Sequence, residues 1–278
     1  MEKGEELSLE SPQNQNTVPT DFKQYFTVVR YELLKYLRSR RLIAMWIILA
    51  LIIGLIIGLP PALGVEYPSD ALGLAQLFVG FVSILVVLCF TFFGADAIVS
   101  EFQQKTGYVL FPNPLKRSVI LSGKFTASLL SAVLTITIYY GAIMAAVGAI
   151  NHSIPGEIVI SYLFCIIYLL AGMAVAYLFS SLMKSVAMAY VLVFFFFFMI
   201  MDIINVMFMI AGVTPWASLT FSSGIITYVL YVPYPTATDV GPFNMFYPEI
   251  ALSLLVMLFY LVITFALTYF TFSRKEMK

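Results

Sequence analysis

Apolar residues run with few interruptions through six stretches, about 42–64, 72–95, 120–150, 158–182, 185–212 and 250–272. A helix needs about 20 apolar residues to cross ~30 Å of hydrocarbon, and each stretch meets that length. Inside hydrocarbon a backbone must satisfy its own polar groups, so uninterrupted runs of this length predict helices. Ahead of the first run the pattern becomes periodic. Phe22, Phe26, Val29, Leu33 and Leu37 recur at helical spacing, while Lys23, Arg30, Lys35 and Arg38 take other faces. Residues 21–41 therefore predict a basic amphipathic helix lying along the membrane surface. Residues 1–20 are rich in Glu, Ser, Gln, Asn and Pro and predict a disordered tail. The expected fold class is all-α: a polytopic integral membrane protein with an interfacial helix, a six-helix transmembrane domain over 42–272 and a short tail over 273–278.

The breaks between runs are informative. Pro60 and Pro61 close the first run, and a tight turn is expected around 180–185. Small residues recur four apart at Gly54 and Gly58, Gly141 and Ala145, and Gly172 and Ala176, a spacing that lets helices approach closely. The connection 213–249 carries five prolines, many aromatics and two charges, Asp239 and Glu249. Its apolar stretch 225–232 is too short to span, so it predicts either a re-entrant or interfacial helix pair or a packed cap. Trp216, Tyr228, Tyr231, Tyr234 and Tyr247 suit a membrane interface, where amphipathic rings collect.

Composition agrees, with 61% hydrophobic and 11% charged residues, where soluble domains have roughly 45–50% and 25%. The net charge is zero, yet all fifteen Lys and Arg residues fall on one side of the six-span map. Seven precede the first run, four lie between the second and third, Lys184 lies between the fourth and fifth, and Arg274, Lys275 and Lys278 follow the sixth. Short cytoplasmic loops retain Lys and Arg, which places both termini in the cytoplasm of a multi-pass cell-membrane protein. Basic residues beside membrane spans and balanced by acids give no nucleic-acid footprint. Cys89 and Cys165 both fall within apolar runs, as packing residues rather than a disulfide.

Catalytic chemistry is sparse. His152 is the one histidine, so neither a metal-ligand cluster nor a Ser/His/Asp set can be assembled, and no cofactor is expected. The dipeptide Gly123, Lys124 resembles the end of a phosphate-binding loop, but Ser118 and Phe125 stand where Gly and Ser or Thr would be needed. The chain is therefore not an enzyme by its sequence, and any use of ATP belongs to a partner. Asp202 stands inside the fifth run with Asn205 three residues on, sharing a helix face. An intramembrane acid costs about 2.5–3.5 kcal/mol on insertion scales. Asp202 and Asn205 are candidates either for a structural hydrogen-bonded pair or for a cavity-lining, ion-linked site.

The connection 96–124 carries the most specific pattern. It contains Glu101, Lys105, Thr106, Gly107, Pro112, Pro114, Arg117, Gly123 and Lys124. Here the sequence resembles permeases of the type-2 ABC transporter family. Those proteins carry a Glu, a Gly-Thr four or five residues on, a Leu-rich turn, a Pro, an Arg three later and a Gly-Lys at the third helix. Glu101, Thr106, Pro114, Arg117, Gly123 and Lys124 match at the same mutual spacing, and Lys105 stands where the family usually has Gly. Physically, Glu101 and Lys105 are an i,i+4 pair that supports a short helix, which Pro112 and Pro114 end. Arg117 and Lys124 would then re-enter the bilayer at headgroup depth.

The resemblance implies the membrane subunit of an ABC exporter. Its partners would be a second permease, identical or related, membrane lipids and a separate cytoplasmic ABC ATPase that seats the 96–124 loop as a coupling helix. Two other readings fit the residues: a secondary transporter using Asp202, and a non-transport assembly or anchoring factor. The apolar character of the chain mildly favours lipids, drugs or hydrophobic peptides as cargo.

Overall fold

The computed structural model describes residues 20–103, 116–235, 238–240 and 243–275. Lys105, Thr106, Pro112 and Pro114, and most of the tail expected over 1–20, lie outside the described residues. Among the described residues, six helices are long and apolar enough to cross a membrane: Arg40–Ala62, Ala71–Gln103, Arg117–Asn151, Glu157–Leu182, Val186–Ile210 and Ile250–Arg274. They are the first to sixth spans below. A leading helix, Asp21–Leu37, packs along the third span. The fold is all-α apart from an antiparallel ribbon, Thr238–Val240 with Phe243–Met245, in which Asp239 faces Asn244 in register.

The first span runs through Pro60 and Pro61 to Ala62. Pro61 has no N–H to give Ile57, four residues back, and the Tyr67 hydroxyl donates to that carbonyl instead. The small-residue pairs do not all pack. A Cβ added at Gly54, Gly58 or Gly141 would meet nothing within 4 Å. One added at Gly172 would fall 2.0 Å from Phe90 Cζ, and one at Gly94 would fall 2.8 Å from Ala176 Cβ. Only Gly172 and Ala176 serve a close helix crossing within the chain, between the second and fourth spans.

The second span is the buried axis of the bundle and is not a continuous α-helix. It breaks after Val79, passes through a π-helical turn at Phe90–Gly94, and resumes as Val99–Gln103. Each break would strand backbone groups in an apolar interior. Side chains from other elements serve them. Tyr139 Oη donates to Phe78 O at 2.8 Å, Tyr36 Oη donates to Phe93 O at 3.1 Å, and Ser180 Oγ accepts from Ile98 N and Val99 N at 3.0 and 3.1 Å. The fifth span carries a second π-helical turn, Phe196–Ile200, which ends two residues before Asp202. The two turns meet, with Phe90 and Phe197 ring centroids 4.8 Å apart.

The first part of the connection 213–249 packs into the bundle. Its short helices Leu219–Ser222 and Ile225–Tyr228 pack against the sixth, fourth and second spans. Ser161 Oγ donates to Ile226 O at 2.6 Å, Gln76 Nε2 to Leu230 O at 3.0 Å, and Tyr260 Oη to Ala217 O at 3.2 Å. Ile225, Ile226 and Leu230 are fully buried. The apolar stretch 225–232 holds one short helix, Ile225–Tyr228, preceded by Leu219–Ser222.

Candidate functional site

Two polar constellations stand out in this apolar chain. The larger lies at the end of the bundle that carries the basic residues. Lys124, in the second turn of the third span, is 3% exposed. Its Nζ donates to Glu32 Oε1 at 2.5 Å and to Glu101 Oε1 at 2.7 Å. Glu32 belongs to the leading helix and Glu101 to the last turn of the second span, so one ammonium joins three elements. The exposed Lys35 closes the cluster, 3.4 Å from Glu32 and 3.6 Å from Glu101. An exposed pair of that length contributes little, whereas removing one partner of a buried pair costs about 3–5 kcal/mol.

The local sequence explains the approach. A Cβ on Gly123 would fall 2.7 Å from Val28 Cγ1, so only glycine lets the leading helix lie this close. Tyr25 Oη and Thr126 Oγ1 share a hydrogen bond at 2.8 Å across the same seam. The dipeptide Gly123, Lys124 thus combines a missing side chain for contact with a long one for charge.

A second ion pair lies beside the first. Arg41, opening the first span, donates to Asp96, which is 4% exposed, and stacks over the Tyr190 ring at 5.6 Å. Tyr36 sits beside this pair. Burial, reinforced by Tyr177, Asp96 and Glu32, pushes its hydroxyl well above the usual range and keeps it a donor to Phe93 O.

Two further cations cap helix ends. Arg117 Nη1 donates to the carbonyls of Phe272, Ser273 and Lys275 at 3.0, 2.7 and 3.2 Å, closing the sixth span. Lys275 Nζ donates to Ser181 O and Met183 O at 2.8 and 3.1 Å, closing the fourth, and lies 4.7 Å over the Phe102 ring. Burial holds the Lys275 ammonium below the ordinary lysine range. Gln103 Oε1 accepts from Val186 N at 2.7 Å at the start of the fifth span.

The sequence-derived candidates thus separate. Glu101 and Lys124 meet in the buried cluster. Arg117 faces the end of the sixth span. Lys105, Thr106 and Pro114 lie outside the described residues. Sequence reasoning missed Glu32, Asp96 and Arg41 as partners. The signal for Glu32 was the need of Lys124, inside an apolar segment, for a counter-charge.

The smaller constellation surrounds Asp202. Asn205 is 7% exposed and its Nδ2 donates to Thr220 Oγ1 at 2.8 Å. Asp202 itself faces open space and lines two cavities of about 300 and 410 Å³. No group of three or more His, Cys, Asp or Glu that could hold a metal ion occurs among the described residues.

The sequence model of a family described as ABC-2 family transporter protein matches residues 26–277. No curated protein matches the chain.

Proposed function

Since this chain belongs to the ABC-2 family of transporter proteins, and is an ABC transporter membrane subunit, we propose that it works as an exporter driven by a separate ATPase. In this reading it lies in the cell membrane with its basic end and both termini in the cytoplasm. The leading helix lies along the inner surface. Two permease chains pair, with an ABC ATPase seated below each. The loop 96–124 acts as the coupling element, and the chain itself hydrolyses nothing.

One observation carries the mechanical part. Glu101, where the second span enters that loop, is tied by Lys124 to the third span and to Glu32 of the leading helix. A displacement imposed on the loop would therefore reach three elements together. The second span would carry it inward, past side-chain-served breaks that can adjust without exposing backbone. Arg41 with Asp96, and Arg117 with Lys275, would spread it to the first, fourth and sixth spans.

The test is co-purification of the ABC ATPase from native membranes. Replacing residues 104–114 by a Gly-Ser linker of equal length should abolish it. An ATPase complex that survives the replacement sinks the coupling assignment. Transport that needs an ion gradient and no ATPase would favour the secondary-transporter reading.

A further inference from the structure

The cavities beside Asp202 take no part in that coupling scheme. They share Asp202 and Thr220. The first is walled by the rings of Tyr168, Phe197 and Phe198, and the second is lined by Asn205 and Tyr228. No Lys or Arg among the described residues lines either one. Asn205 is more than nine-tenths buried, and with one amide hydrogen engaged by Thr220 its Oδ1 has no hydrogen-bond partner among the described residues. The Asp202 carboxylate and the Asn205 amide oxygen are acceptors here, beside the hydroxyls of Ser83 in the first cavity and Tyr228 in the second. Aromatic faces beside an anion add attraction for a cation. The remaining surface of the fifth span is apolar and open, with Ile203, Val206 and Met207 about half exposed or more.

These features define a ligand by its chemistry. It needs a positive charge to balance Asp202, N–H donors for Asp202 and Asn205, and an apolar body to lie along the exposed span. We propose that the Asp202 cavity binds an alkylammonium group. The group could come from an amino-lipid headgroup or from a free amphiphilic amine, and both present the same chemistry. Volumes of about 300–400 Å³ suit a small headgroup or amine with its chain outside. The assignment goes beyond the coupling scheme and needs only this chain, so its failure would leave that scheme untouched.

The full chain in maltoside micelles is titrated with dodecylammonium and, separately, with the neutral isostere dodecanol. Wild type should bind dodecylammonium about tenfold or more tighter than dodecanol. Asp202→Asn should erase the preference, and Asp202→Glu should keep most of it. Asn205→Leu, which leaves the charge in place, should weaken dodecylammonium binding severalfold. It provides the decisive variant if Asp202→Asn does not fold by its melting curve. Native mass spectrometry of chain from its own membranes separates the sources. Phosphatidylethanolamine retained by wild type and lost in Asp202→Asn identifies the headgroup. Dodecylammonium binding with no retained lipid identifies the free amine. Equal affinity for amine and alcohol in wild type, or unaltered amine binding in folded Asp202→Asn and Asn205→Leu, overturns the proposal.

Discussion

Lys124 and Glu101 stand twenty-three residues apart in sequence, yet their side chains meet at 2.7 Å with only 3% and 6% of each residue exposed. The pair spans the two ends of the connection that links the second and third spans, and Glu32 completes it from outside. The loop is thereby held at its base like a handle at two rivets. Replacing Lys124 by Met takes the buried cation from two carboxylates of low exposure, leaving the exposed Lys35 beside them, and should destabilise the chain by about 3 kcal/mol. Melting in detergent measures this. Adding Glu32→Gln and Glu101→Gln to Lys124→Met should recover most of the loss, because the desolvated charges are then gone. A triple variant no more stable than the single one would remove the electrostatic account.

The crossing of the second and fourth spans depends on a missing side chain. At Gly172 a methyl would fall 2.0 Å from Phe90 Cζ, against a ring that is itself fully buried. Gly172→Ala should cost about 1–3 kcal/mol through overpacking, and Phe90→Leu in the same chain should relieve part of it. Gly141→Ala meets nothing within 4 Å and should be neutral or slightly stabilising, since alanine favours helix. Melting curves of the three variants decide the matter, and equal effects at Gly172 and Gly141 would contradict the packing.

Arg117 holds the end of the sixth span through three carbonyls. Arg117→Ala should cost about 1.5–3 kcal/mol, the usual range for hydrogen bonds from a charged donor. Hydrogen exchange should accelerate first at residues 270–275, with the span interior protected as before. Arg117→Lys should recover part of the protection. Uniform acceleration along the span would argue against a local cap.

The folded-in connection 213–249 has a pH limit on the alkaline side. Tyr234 Oη donates to Pro248 O at 2.5 Å, and burial, with Tyr228 nearby, pushes its hydroxyl up to about 12. A phenol whose folded value lies above its unfolded one, ~10, stabilises the fold fully below that lower value. The contribution fades as pH rises through about 12. Limited proteolysis of the connection should therefore speed up between those limits in wild type. Tyr234→Phe should lose the hydrogen bond at every pH and show less of that rise.

The six spans, their helical class and the family were legible in the sequence. Run length against bilayer thickness needs no tertiary information, and neither does a charge pattern repeated in every connection. The matched connection was also local, because Glu101, Arg117 and Lys124 kept family spacing. The partners of those residues were not local. Glu32 lies ninety-two residues from Lys124, and Asp96 fifty-five from Arg41. Nothing in hydropathy fixes which charges meet.

The same division holds within the second span. Its composition reads as one continuous helix. At the breaks after Val79, at Phe90–Gly94 and before Val99, Tyr139, Tyr36 and Ser180, from three other elements, supply hydrogen bonds a broken helix lacks. Asp202 was marked by sequence alone, since an acid in an apolar run is costly wherever it points. Its setting among Thr220, Asn205 and aromatic rings required residues 219–228 to pack against the spans. The sequence by itself determined how many times the chain crosses and which ends carry charge, because partition between water and hydrocarbon acts on each segment separately. Only the tertiary structure decided which buried polar groups satisfy one another, because that depends on distances between segments that partition leaves free.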